Sequence, residues 1–115
     1  MIVKSLVQLK EITDRLKKHG KKIVFTNGCF DILHSGHIKL LKKAKSLGDF
    51  LILAINSDKS VKRIKGKKRP IIDEKNRAII VDSLKLVDFV YILVKNPLKR
   101  TIKTIRLDIL AKGSD

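Results

Sequence analysis

Cysteine is almost absent from this sequence: Cys29 is the single one in 115 residues. That excludes an internal disulfide and a cysteine-based metal site, which needs several thiolates. Aromatic residues make up only 4% of the chain. Phe25, Phe50, Phe89 and Tyr91 fall in predicted strands, where they are expected to pack in a core. No row of exposed rings is then available to stack single-stranded nucleic acid. Apolar runs are short, and a stretch such as Phe50–Ile55 is far too short to cross a bilayer. No leading apolar segment with a cleavage site is present, so a secretory signal is not expected. The expected location is cytoplasmic, without membrane contact. Acidic residues are scarce, 11 against 27 lysines and arginines, for a net charge of +16. That surplus fits nucleic-acid binding, polyphosphate binding or the lysine-rich solvated surface of a heat-stable protein. Because the lysines recur on predicted outer helix faces, much of the charge reads as solvated surface, and nucleic acid is not an expected partner.

What is present is enough for a folded chain, with 43% apolar and 33% charged residues. Its length suits one domain with one core, residues 1–115. Residues 1–20 read as an amphipathic helix, with Leu6, Leu9, Ile12 and Leu16 at helical spacing and Gly20 as its stop. Lys22–Thr26 reads as a buried strand, followed by an Asn27-Gly28 turn. A helix is expected from about Gly36 to Leu47, then a strand over Phe50–Ile55 that is apolar on both faces. Ser57–Arg69 reads as partly loop. Asp73–Leu86 reads as a helix with Ile79, Ile80, Ser83, Leu84 and Val87 inward. Phe89–Val94 is expected as a strand, Asn96-Pro97 as a turn, Leu98–Ile105 as a helix and Asp108–Ala111 as a last strand. Alternation of this kind predicts an α/β, Rossmann-like open parallel sheet with helices on both faces. Ligands of such sheets bind beyond the carboxyl ends of the strands. Those ends are 26–30, 56–58 and 112–115, and the unusual residues collect there.

The first such segment runs Asn27-Gly28-Cys29-Phe30-Asp31 and on to His34-Ser35-Gly36-His37. A strand leads through a glycine turn to two histidines where a helix begins. Helix-start N–H groups favour anions, and Gly28 and Gly36 let a phosphate approach the backbone. His34 and His37, three apart, share a helix face and can both donate to phosphate oxygens, stabilising charge at a phosphorus under attack. Two surface histidines also meet by chance, but the placement behind a glycine turn at a strand end favours a catalytic pair. The i, i+4 spacing of a zinc helix is absent, so no zinc is expected. In the run Lys62–Arg69 six of eight residues are basic, which for most of them reads as a solvated loop. Asp58, at the end of the second strand, reads either as a substrate contact or as the cap of the following helix.

These residues resemble the cytidylyltransferase-like nucleotidyltransferases, whose signature is H-x-G-H after a G-x-F-D turn. The stretches TNGCFDILHSGH, GDFLILAINSDKSVKRIKGKKRP and KGSD are most similar to the adenylyltransferase domain of bifunctional ADP-heptose synthases. The resemblance covers roughly residues 20 to 115. It implies direct attack of a sugar phosphate on the α-phosphate of ATP, with Mg²⁺ and without a covalent enzyme intermediate. It also implies that Lys65 bridges the two phosphates that must meet, and that Arg77, in Glu74-Lys75-Asn76-Arg77, reaches the triphosphate. Lys112, Gly113 and Asp115 would contact the base and ribose. Cys29 takes a position where the family often has threonine, so it reads as a small turn residue and not a nucleophile.

The resemblance further implies a heptose 1-phosphate acceptor, with pyrophosphate released. Alternatives of the same class are a CTP donor with glycerol phosphate, another sugar phosphate, or a flavin mononucleotide acceptor. From a different class, a non-catalytic basic module binding nucleotide or nucleic acid is an alternative. The family domain continues with another strand and a serine/threonine-rich turn that binds the triphosphate. Nothing in these residues matches that turn, so the C-terminal part of the domain and the partner kinase domain are expected to be missing from this sequence. A homodimer is expected.

Overall fold

The computed structural model describes residues 1–94, 97–106 and 108–111. Five strands form one parallel sheet: β1 (Ile2–Val3), β2 (Ile23–Gly28), β3 (Phe50–Asn56), β4 (Phe89–Leu93) and β5 (Ile109–Leu110). Their order across the sheet is β1-β4-β3-β2-β5. Five helices connect them: α1 (Leu6–Lys18), α2 (Ser35–Ser46), α3 (Asp58–Lys65), α4 (Glu74–Asp82) and α5 (Leu98–Ile105). The expected Rossmann-like parallel sheet is what forms. From β2 the chain steps outward to β3 and β4, then returns through α5 to β5 on the other side of β2. The direction of winding thus reverses at β2, and the crevice such sheets use for ligands opens beyond its carboxyl end.

Alternation along the strands builds two cores. Val24, Leu51, Leu53 and Ile55 face one side, with Leu41 and Ala44 of α2 and Ala78 and Val81 of α4. Ile23, Phe25, Ile52 and Ala54 face the other, with Leu9 of α1 and Ile105 of α5. Both faces of β3 are buried, which is why its sequence is a continuous apolar run. Each buried Leu, Ile or Phe contributes roughly 2 kcal/mol over its exposed state. Among the described residues no helix is long and apolar enough to cross a membrane.

The few acidic residues have structural posts. Asp49, Asp108 and Asp88 accept the backbone N–H groups of Lys22, Ile23 and Leu51 at 2.7, 2.9 and 2.7 Å. These posts lie where β2 and β3 begin, at the far end from the crevice.

Several expectations need correction. Ile2 and Val3 pair with Val90 and Tyr91 as an edge strand instead of opening the helix. Helix α1 starts at Leu6, because the Ser5 side chain caps it by accepting the N–H of Gln8, while Gln8 Oε1 accepts the N–H of Lys4 just before the cap. A serine cap of this kind fixes a helix start. Asn27-Gly28 is not the turn. Both pair in register with Ala54 and Ile55, and the chain turns only at Cys29. Residues 58–65 are helical, because Ser57 caps α3 through the N–H of Ser60. Helix α4 ends at Asp82 and buries Arg77, Ala78 and Val81, while Ile79 and Ile80 are exposed. Asn96 lies outside the described residues.

Candidate active site

The turn after β2 depends on Phe30. It sits at φ 48°, a left-handed conformation that costs a residue with a side chain roughly 1–2 kcal/mol. The strain is held because the Phe30 side chain is buried against His37, ring centroids 5.0 Å apart. This bend sends Asp31 inward and releases the chain toward α2.

Helix α2 begins in an unusual way, because its two histidines cap it. The Gly36 N–H donates to Nδ1 of His34 at 3.0 Å, and the His34 N–H donates to Nδ1 of His37 at 3.2 Å. Each Nδ1 is an acceptor, so the neutral ring carries its proton on Nε2. The rings lie together, centroids 4.0 Å apart and tilted by 32°. His34 is exposed and His37 buried. Gly36 has a steric reason beyond phosphate approach: a Cβ there would lie 2.8 Å from Cε1 of His34.

Asp31 is buried and fully engaged. The N–H groups of Ile71 and Ile72 and the Arg69 guanidinium all donate to its carboxylate. Burial, the largest single influence, opposes its charge. The two backbone donors and Arg69 together outweigh that, and its pKa lies below the ordinary aspartate value. Asp31 therefore fastens the end of the basic run to the histidine turn.

Arg77 is wholly buried. Its guanidinium donates to the carbonyls of Cys29 (2.7 Å), Asn56 (2.8 Å) and Ile72 (2.9 Å), and to the Asp58 carboxylate (2.8 Å). It braces the carboxyl ends of β2 and β3 against the start of α3. Cys29 is buried, and its Sγ lies 3.4 Å from the Asn56 amide nitrogen.

A family model described as cytidylyltransferase-like matches residues 25–115. The chain belongs to this cytidylyltransferase-like family. It is 51% identical over 110 residues to the bifunctional protein HldE of Helicobacter pylori strain Shi470, covering 96% of this chain and 24% of that protein. To the Geobacter metallireducens protein HldE it is 52% identical over 113 residues, covering 98% and 23%. The chain thus spans about a quarter of the length of the curated relatives it matches. Among solved structures it resembles the lipopolysaccharide core biosynthesis protein from Thermoplasma volcanium GSS1, with a TM-score of 0.71 and 38% identity over 79% of this chain and 73% of that one. It also resembles pantoate-β-alanine ligase from Francisella tularensis, complexed with β-γ ATP and β-alanine, at a TM-score of 0.57 and 28% identity over 80% and 34% of the two chains.

As a member of this family, the chain brings most of the expected site residues together. Asn27 and Gly28 end β2; Cys29, Phe30 and Asp31 form the turn; His34, Gly36 and His37 open α2. Lys65 is exposed on the last turn of α3, followed by Gly66 at φ 108° and by the tether to Asp31. Two side chains stand otherwise than expected. Arg77 does not reach outward to a triphosphate: it is wholly buried, and four protein acceptors hold it in the interior. Asp58 does not cap α3, which Ser57 does; its Oδ1 pairs with Arg77. Lys112, Gly113 and Asp115 lie outside the described residues. Sequence reading missed Arg69 as the partner of Asp31, since nothing marks one cation among six.

Proposed function

We propose that the chain is a nucleotidyltransferase domain that transfers the adenylyl group of ATP to a heptose 1-phosphate. A phosphate oxygen of the acceptor attacks the α-phosphorus, the bond from that phosphorus to the β-phosphate oxygen breaks, and pyrophosphate departs with those electrons. The products are ADP-heptose and pyrophosphate. The observation that carries this reading is the pair of histidines whose Nδ1 atoms are both committed to backbone N–H groups. Their orientation is thereby fixed before substrate arrives, with Nε2–H as the donor of each ring. Donors set in advance stabilise charge developing on phosphate oxygens without reorganisation. Lys65, on the tethered segment, would offset repulsion between the two phosphates as they meet. The turn 27–31 and Gly36 would border the nucleotide, and the terminal Lys112, Gly113 and Asp115 its base and ribose.

Among the described residues no group of three or more His, Cys, Asp or Glu is placed to hold a metal ion. The two carboxylates nearest the turn, Asp31 and Asp58, are spent on arginines. Magnesium would therefore enter on the oxygens of the triphosphate, as part of the substrate. We place the reaction in the cytoplasm and expect two copies to pair, for which the exposed Ile71 and Ile79 offer apolar surface. The deciding experiment is pyrophosphate release from ATP or CTP with heptose 1-phosphate, glycerol phosphate and flavin mononucleotide as acceptors. Release with ATP and heptose phosphate alone supports the reading. Preference for CTP or another acceptor reassigns the substrate. Salt-dependent DNA affinity without release by any pair would overturn it in favour of a basic binding module.

A further inference from the structure

Arg69 differs from the cations around it. Lys67 and Lys68 are exposed, and neither has a carboxylate or hydrogen-bond partner among the described residues. Arg69 is fixed at both ends. Its backbone N–H donates to the carbonyl of Gly66 at 3.2 Å, closing a turn, and its Nε donates to Oδ2 of Asp31. Asp31 is held in turn by the N–H groups of Ile71 and Ile72. A side chain set in this way loses little further freedom when a ligand arrives. The contact with Asp31 uses only one edge of the guanidinium. Nη1 and Nη2 have no acceptor among the described residues, and the side chain is 34% exposed. A guanidinium placed only to neutralise a carboxylate gains most by offering both prongs of its fork to the two oxygens. Here backbone N–H groups already fill Oδ1, and the fork is left over. Asp31 precedes His34 by three residues, so the unused donors stand beside the histidine turn.

We infer that Arg69 binds the outer phosphates of the nucleotide through Nη1 and Nη2 and holds the departing pyrophosphate, with Asp31 as the positioning residue that aims it. The inference rests on the nucleotidyl-transfer reading and names a residue for its leaving group. It gives Arg69 the duty that buried Arg77 does not perform. As the bond to the α-phosphorus breaks, its electrons pass to the bridging oxygen and the pyrophosphate gains negative charge. A guanidinium set in advance stabilises that charge without reorganisation, and its planar fork matches two oxygens of a phosphate.

Calorimetry with ATP, inorganic pyrophosphate and AMP tests the contact, because AMP lacks the outer phosphates. Arg69→Lys keeps a cation beside Asp31, but an ammonium drawn to that carboxylate cannot also present a fork. This variant should keep a urea midpoint near that of the unaltered chain. Its affinity for ATP and for pyrophosphate should fall about tenfold or more, the loss expected for one charged hydrogen bond, while its affinity for AMP stays unchanged. Arg69→Ala should lose the same affinities and lower the midpoint as well. Lys68→Ala, one residue away, should leave all three ligands unaffected. Unchanged ATP affinity in Arg69→Lys overturns the assignment and leaves Arg69 as the partner of Asp31 alone. An equal loss for AMP, or an equal loss in Lys68→Ala, also overturns it, since diffuse attraction to a basic surface then accounts for the binding. So does an unaltered chain that binds neither ATP nor pyrophosphate. A chain that binds ATP through Arg69 but releases no pyrophosphate with any acceptor overturns the transfer reading and leaves the phosphate contact standing.

Discussion

Nη1 of Arg77 lies 2.7 Å from the carbonyl oxygen of Cys29, so a helix residue 48 positions away fixes the turn that leads to His34 and His37. The same guanidinium holds Asn56, Ile72 and Asp58. Removing it leaves three carbonyls and a carboxylate short of their donor. Arg77→Ala should cost about 3 kcal/mol or more in urea denaturation, the penalty for breaking a buried ion pair from one side. Arg77→Lys should recover only part of that, because an ammonium cannot reproduce the planar fork. A loss within experimental error would sink the bracing role.

Asp31 gives the fold an acid limit. Its carboxyl is held below the ordinary value, against the cost of burial, by Ile72, Ile71 and Arg69. The unfolded chain binds that proton more readily than the folded one. The stability it contributes is thus fully present above the unfolded value of about 3.9 and is lost as pH falls through the lower folded value. Urea midpoints should fall as pH drops below about 4, and Asp31→Asn should flatten that decline while lowering stability at neutral pH. A decline equally steep in the variant would show that other groups carry it.

Legibility of this fold in the sequence followed the reach of each interaction. β3 and α2 were readable because an unbroken apolar run and Leu41 and Ala44 at helical spacing are local patterns. The Ser5 and Ser57 caps are local too, and each stands directly before the helix it starts, α1 and α3. Two-residue β1 has too little sequence to show a period. The duties of Arg77 and Asp31 were not legible at all. Their partners come from Cys29, Asn56, Ile72 and Arg69, which only the folded chain brings together. A motif reports that an arginine is needed there, not which way it points. The histidines were legible because a strand end, a short turn and a helix start are consecutive.

Gly36 tests whether His34 must lie where it does. Alanine favours a helix over glycine by up to about 1 kcal/mol, but here its Cβ would sit 2.8 Å from the His34 ring. The imidazole must swing away and release the Gly36 N–H. Gly36→Ala should therefore melt within a few degrees of the unaltered chain, yet lose about tenfold or more in turnover, as expected when a donor is misplaced. Full activity would show that the ring position is not needed.

Cys29 offers the opposite control. Its thiol is buried and accepts from the Asn56 amide at 3.4 Å. Serine is close in size and a better acceptor. Cys29→Ser should keep most of the pyrophosphate release and of the stability. Complete loss of turnover with an intact fold would point to a covalent role for sulfur and overturn direct transfer.

The histidines themselves separate capping from chemistry. Each ring caps a backbone N–H through Nδ1 and would serve the phosphates through Nε2. Asparagine can imitate the first duty, because its side-chain oxygen caps helices well, but it cannot place a donor where Nε2 lies. His34→Asn and His37→Asn should retain the helix start, seen as near-normal circular dichroism, and lose about a hundredfold in kcat, the scale for one transition-state donor. Alanine at either position should lose the same rate and, in addition, about 1 kcal/mol of stability from the uncapped helix. If asparagine restores turnover along with the cap, the pair only shapes α2, and the phosphates are stabilised by other groups.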